Sequence, residues 1–235
     1  MVNREELCTH LSVILPIVKE GIMTVENGKG IVSHIDQANV AMVWTEFDIP
    51  FPDGVYGIDF KKLYALLNAY STTEVDIKTT KNYITLRSGS LNNKVMLLNT
   101  DTLQAIINKS VTPLPCIVEI NSDELVEIVS FIDSIATATK NEVTNVYFSF
   151  DGLNLSVKCP SVEDTDKAFD MASVELGKEE KFNSCYSFLY LKDITKAINK
   201  SFGKSKIRIS IGNNTPCRII AGDVEYVLAN IVEDE

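Results

Sequence analysis

What most constrains this chain is that its two halves run through the same order of events. YGIDFKKLYALLNAYSTTEVDIKTTKNYITLRSGSLNNKVMLL and YSFLYLKDITKAINKSFGKSKIRISIGNNTPCRIIAGDVEYVL each read as a strand end, an amphipathic helix and three short strands. Upstream of each lies another helical pattern followed by a hairpin, so the unit that repeats is roughly 115 residues long, far longer than a solenoid repeat and present only twice. Two such copies predict an α+β chain of two similar domains, each with helices on one face of antiparallel sheets. The expected boundaries are 1–98 and 116–235, joined by the segment 99–115, NTDTLQAIINKSVTPLP, which carries the apolar residues Ile106, Ile107 and Val111 in linker context.

The local patterns come in order. Leu7, Leu11, Ile14, Leu15 and Val18 form one helical stripe within Glu5–Glu20, with Pro16 predicting a kink or an early end. Asn27-Gly28 between extended flanks predicts a tight hairpin, and Val40–Phe47 a further strand. Asp59 is the expected N-cap of a helix through Tyr70, followed by the strands EVDIK, YITLR and KVMLL. In the second half Asn121, with Glu124 three residues on, opens a helix striped by Leu125, Ile128, Val129, Ile132 and Ile135. The hairpin NVYFSF-DG-LNLSV follows, then the strands FDMASVEL and CYSFLYL, a helix from Lys192 to about Phe202, and the strands KIRISI, CRII and VEYVLANIV.

Composition narrows the function. With 45% hydrophobic and 23% charged residues in 235, the chain is expected to bury a substantial core. Its N-terminus mixes acidic residues and a histidine into the apolar run, unlike a signal peptide, and no window approaches a membrane span, so an intracellular location without membrane attachment is expected. Five cysteines, odd in number and free of any CxxC pair, argue for buried thiols over disulfides or zinc. His34-x-Asp36 has no spaced serine, cysteine or third ligand, and no phosphate-cradling glycine motif occurs, so the chain reads as a non-enzyme with neither cofactor nor metal.

Net charge is −10, and it is unevenly spread: residues 1–115 hold 10 Lys+Arg against 12 Asp+Glu, residues 116–235 hold 12 against 20. Any nucleic-acid role therefore rests on segregated charge. On the last helix Lys192, Lys196 and Lys200 fall at i, i+4 and i+8, opposite the stripe of Leu191, Ile194, Ile198 and Phe202, with Lys204 just beyond. Lys61 and Lys62 open the second helix, the first offers His10 and Lys19, and the third offers no base. Such a stripe is either a solvated face or a surface for phosphates, and the pattern by itself leaves both open.

Four segments carry a resemblance: HIDQANVAMV (34–43), YGIDFKKL (56–63), LYLKDITKA (189–197) and VEYVLANIVEDE (224–235). In order and spacing they resemble the proliferating cell nuclear antigen (PCNA) family, the sliding clamps of archaeal and eukaryotic replication. The resemblance implies a homotrimeric ring around duplex DNA that tethers DNA polymerase, clamp loader and other proteins bearing a clamp-binding motif, at the replication machinery. It implies DNA-facing roles for Lys196 first, then Lys192, Lys200, Lys204, Lys61, Lys62, His10 and Lys19. It makes 99–115 the interdomain connecting loop, over a partner-peptide pocket formed by Val40, Met42, Ile107, Val111, Pro216, Val227, Leu228 and Ala229, with Asn230 to Val232 able to pair as an added strand. Subunits would join through the strand Lys94, Val95, Met96, Leu97, Leu98 of one and Phe169, Asp170, Met171, Ala172, Ser173, Val174, Glu175 of the next. The chain departs from the family at Val227, where an aromatic is usual, at Asn230, where proline is usual, and in a third helix without bases. Two other readings therefore accompany the homotrimer: a subunit of a heteromeric clamp or a monomeric processivity factor, and an acidic scaffold that binds proteins without touching DNA.

Overall fold

The structure is a computed structural model of the full chain, and it describes residues 1–103, 114, 116–151, 154–160, 165–168, 173–176 and 181–232. The chain divides into two compact units, Met1–Asp36 with Met42–Lys109, and Gln37–Ala41 with Ser110–Glu235. The short segment Gln37–Ala41 thus groups with the second unit although it lies within the first half of the sequence.

The first unit contains β1 (Val2–Asn3), α1 (Arg4–Ile14), β2 (Glu20–Glu26), β3 (Lys29–Ile35), β4 (Ala41–Asp48), β5 (Gly54–Asp59), α2 (Phe60–Ala69), β6 (Glu74–Thr79), β7 (Tyr83–Ser88) and β8 (Leu91–Met96). Its strands pair antiparallel in the orders β1-β6-β7-β8 and β4-β3-β2-β5. The second unit contains β9 (Cys116–Asn121), α3 (Ser122–Thr139), β10 (Asn145–Phe150), β11 (Leu155–Cys159), β12 (Thr165–Ala168), β13 (Ser173–Leu176), β14 (Phe182–Ser187), α4 (Phe188–Phe202), β15 (Lys206–Ile211), β16 (Cys217–Ala221) and β17 (Val224–Leu228). Here the orders are β12-β11-β10-β14 and β13-β9-β15-β16-β17. Apart from the added edge strand β13, the pairing of the second unit repeats that of the first strand for strand, with β9 in the place of β1, β14 in that of β5 and β12 in that of β4.

Local chemistry explains the boundaries. Asn3 caps α1, its Oδ1 accepting from the backbone of Glu5 at 2.9 Å and Glu6 at 3.2 Å. The helix stops at Ile14 because Pro16 has no N–H to continue it, so the stripe expected to reach Val18 ends at Ile14 while Ile17 and Val18 are buried from the following turn. Asp59 caps α2 through a 2.7 Å bond from the Lys62 amide. Tyr70, expected on that helix, stands just past its end, buried, donating its hydroxyl to the Leu86 carbonyl and accepting from Asn93. Asn27 and Gly28 both take positive φ, 54° and 78°, the twist a two-residue hairpin demands. The matching Asp151 is described, and its Oδ1 accepts the Asn154 amide at 2.7 Å, while Gly152 lies outside the described residues.

Three element boundaries differ from expectation. α4 begins at Phe188, four residues before Lys192, and Phe188, Leu191, Ile194 and Ile198 form a continuous buried stripe. The run CYSFLYL is therefore strand only to Ser187. The strand read as KVMLL is β8, Leu91–Met96; Leu97 and Leu98 leave it, donating their amides to the Asn82 and Gly57 carbonyls. A Cβ on Gly57 would collide with the Leu98 carbonyl, which is why glycine stands there. Of the expected strand 169–176, residues 173–176 form β13 and 169–172 lie outside the described residues.

Each unit packs its two helices together, α1 with α2 and α3 with α4, and sets their apolar faces over its strands. The cores are built of Leu7, Leu11, Phe60, Leu63 and Leu67 in the first unit and Leu125, Ile128, Ile132, Leu191 and Ile194 in the second. All five cysteines are free thiols and buried.

Candidate DNA-facing and partner-binding surfaces

The lysines of α4 do not all project into open solvent. Lys192 Nζ donates to Asp133 Oδ1 on α3 at 2.9 Å and lies over the Phe188 ring at 6.0 Å, which leaves its side chain 23% exposed. Lys196 reaches the other oxygen of the same carboxylate at 3.7 Å, and Lys204 meets Asp123 at 3.1 Å. The hydrogen bond from Lys192, reinforced by the charges of both lysines, holds the Asp133 carboxyl below the usual carboxylate range. Lys200 stands on the exposed side of α4. Asp133 has no local signature in the sequence, because its partner on α4 is 59 residues away.

Lys61 and Lys62 are exposed in the first turn of α2, where the helix dipole disfavours cations, so they are not there for the helix's sake. The Lys61 amide donates to the Lys19 carbonyl at 3.3 Å, which brings exposed Lys19 beside them. His10 is placed otherwise: it is half-buried and stacks on Phe47 with ring centroids 5.0 Å apart.

The pocket candidates are partly assembled within the second unit. The Ala229 amide donates to the Val40 carbonyl at 2.8 Å, Val227 is half-buried across from Arg218, and Pro216 is exposed. Leu228 is fully buried, so its side chain serves the core face of β17 and cannot form a surface wall. Met42, in the first unit, is half-buried on β4 opposite Ile35. Ile107 and Val111 lie outside the described residues.

Beyond β17 the chain is already engaged. Asn230 Oδ1 accepts the Cys185 amide at 3.2 Å and the Ile231 amide donates to the Cys185 carbonyl at 2.8 Å, so Ile231 forms a bridge to β14. Of Asn230 to Val232, expected to be available as an added strand, Ile231 has its amide committed. Asn230 stands where a proline would offer no side-chain acceptor to the Cys185 amide.

Of the edge candidates, β8 is the last strand of its sheet and exposes Leu91 and Met96. Val95 between them is buried. β12 ends the sheet β12-β11-β10-β14, and β13 ends the run that contains β9.

Comparison with known proteins decides the fold. A PCNA of A. fulgidus, solved with the C-terminal region of FEN-1 bound, superposes on 100% of this chain and 98% of its own with a TM-score of 0.79 at 22% identity. The fold is that of the PCNA sliding clamps. PCNA of Thermococcus kodakaraensis matches 98% of each chain at TM-score 0.75 and 18% identity, and PCNA of Entamoeba histolytica covers 98% of this chain and 96% of its own at 0.77 and 10%. By sequence, the DNA polymerase sliding clamp of Methanospirillum hungatei JF-1 is 24% identical over 219 residues, 85% of this chain and 84% of its own. No protein-family model matches the chain. The expected resemblance to the PCNA family and the expected clamp fold are both borne out. Among the described residues no group of three or more His, Cys, Asp or Glu could hold a metal, and no helix is long and apolar enough to cross a membrane.

Proposed function

We propose that this chain is a DNA sliding clamp, a non-catalytic processivity factor that closes into a homotrimeric ring around duplex DNA. The observation that carries this is the match of essentially the whole chain to the PCNA fold, joined by a sequence relative that is a DNA polymerase sliding clamp. In this reading Lys196, Lys192, Lys200, Lys204, Lys61, Lys62 and Lys19 meet backbone phosphates without reading bases, a contact that is sequence-independent and weakened by salt. The stacked, half-buried His10 contributes least. The acidic remainder of the surface keeps DNA from adhering elsewhere. Loading the protein on a nicked circle and then linearising the DNA tests topological linkage: retention on the circle and loss from the linear form is the expected outcome, and equal retention on both sinks the ring.

Subunits join, on this proposal, through the strand Lys94–Leu98 of one and the segment Phe169–Glu175 of the next. Partner proteins, among them a polymerase, a clamp loader and the kind of protein represented by FEN-1 on the A. fulgidus clamp, insert an apolar anchor beneath the connecting segment 99–115. Val40, Met42, Ile107, Val111, Pro216, Val227 and Ala229 supply that surface. Alanine at Ile107 and Val111 together should abolish binding of a clamp-binding peptide while leaving the oligomer intact.

A heteromeric ring or a monomeric factor is the second reading, and one observation favours it. Helix α3 carries Asp123, Glu124, Glu127 and Asp133 and no base in its 18 residues. Three copies of such a helix would set carboxylates around the DNA. Light scattering separates the two readings: a mass of three times 26.1 kDa for the purified chain alone supports the homotrimer.

A further inference from the structure

Helices α3 and α4 leave a groove of about 200 Å³ between them, lined in part by Ser130, Asp133, Lys192, Thr195, Lys196 and Asn199. Asp133 spans it, one carboxylate oxygen toward each of two lysines one helical turn apart. Thr195, only 3% exposed, also lines the groove. Two ammonium groups around one two-oxygen anion are the contacts a bound phosphate would make, with a side chain supplying the anion.

We propose that Asp133 is a built-in competitor for backbone phosphate, holding Lys192 and Lys196 against α3 so that this face grips duplex DNA weakly. The proposal rests on the clamp reading and concerns how firmly the same surface holds its DNA. Its physics is exchange of one anion for another. A part-exposed ion pair is worth little, because water and salt screen it and two long side chains must be held in place, so a passing phosphate can take either lysine from Asp133. Each lysine so taken leaves the carboxylate behind, unpaired on one side and close to the incoming phosphate. The net gain per contact is therefore smaller than for a lysine drawn from water. A ring that stays on DNA by linkage needs such contacts to be many, brief and weak.

Affinity for a short linear duplex, measured by fluorescence anisotropy across a salt series, tests this. The variants are Asp133→Asn, the pair Lys192→Ala with Lys196→Ala, all three together, and Asp193→Asn as a charge control on the exposed side of α4. Asp133→Asn should tighten binding about three- to tenfold at low salt and steepen the slope of log K against log salt by about 0.9 for each lysine released. Asp133→Ser, which removes the carboxylate through a different side chain, should do the same. The lysine pair should weaken binding, and in its absence Asp133→Asn should change nothing further. If Asp133→Asn has no effect while the lysine pair weakens binding, the competitor role is wrong and the clamp reading stands. Equal tightening by Asp193→Asn also overturns it, since the cause would then be net charge. If the lysine pair leaves affinity unchanged, α4 does not face DNA and both readings fail.

Discussion

Glu225 is buried on β17, yet it keeps its charge partner: Arg218 Nε on the neighbouring strand β16 stands 2.9 Å from Glu225 Oε1, with side chains 14% and 4% exposed. Removing one member of such a pair strands the other in a medium that solvates it poorly, at a cost of about 3–5 kcal/mol. Glu225→Leu should therefore lower the urea midpoint sharply. Arg218→Met with Glu225→Leu should lose much less, because neither charge is then stranded. His34 poses the opposite problem, a buried base held neutral. Its Nε2 accepts the Ile22 amide at 2.7 Å, and burial keeps the imidazole below its ordinary value of 6.5. The unfolded chain then binds the proton more readily than the folded one, so stability rises with pH. The contribution is fully present above about 6.5 and shrinks as pH falls through that value. A thermal melt should drop between neutral pH and mildly acidic pH, and His34→Gln should flatten that dependence. In the sequence His34-x-Asp36 could be set aside as catalytic, but its work could not be read, since the amide it serves is 12 residues away on another strand. The bond made by Asn230 could not be read for the same reason: its partner, Cys185, is 45 residues upstream.

At the scale of elements, apolar periodicity located all four α-helices of the described residues and missed how they are tied down. Ser122, the first residue of α3, donates its hydroxyl to the Gly203 carbonyl at 2.9 Å and accepts the Ser205 amide at 3.0 Å, while its own amide donates to the Ser205 carbonyl at 2.8 Å. It thereby fastens the start of α3 to the end of α4, more than 80 residues on. Ser122→Ala leaves the part-buried Gly203 carbonyl and Ser205 amide without that partner, and should destabilise by about 1 kcal/mol in chemical denaturation. Faster hydrogen exchange at the first turn of α3 should accompany it. The run Phe188–Leu191 was read as strand because four apolar residues fit either period. Tertiary packing decides it: Phe188 and Leu191 extend the buried stripe of α4 by a turn. Pro16, in contrast, was a reliable stop, since its missing donor acts whatever the packing. The assignments of pocket and subunit strands are of a different kind. They came from the resemblance, and burial alone removes Leu228 from the surface list.

For the whole molecule, the repeat read from sequence is the feature that mattered most, and strand pairing states it more strictly than composition could. The orders β5-β2-β3-β4 and β14-β10-β11-β12 are one pattern used twice, and so are β1-β6-β7-β8 and β9-β15-β16-β17. Strands β8 and β12 each end a sheet and present a row of backbone groups, which a ring-forming protein must pair and any other protein must protect. β8 is not protected in the usual ways: it has no proline, and Met96 at its end is 59% exposed. Its one lysine, Lys94, lies over the Tyr83 ring at 5.6 Å. An exposed methionine at the end of an edge strand suits a joint between copies. Met96→Glu should then reduce the mass in light scattering from three times 26.1 kDa to 26.1 kDa. A substitution at so exposed a site should alter the urea midpoint by no more than about 0.5 kcal/mol equivalent, so loss of assembly would not reflect loss of fold. If the variant keeps the full mass, the joint lies on another strand. If the unaltered chain is itself a monomer, the homotrimer is wrong, and the acidic α3 is to be explained by a ring completed with other subunits.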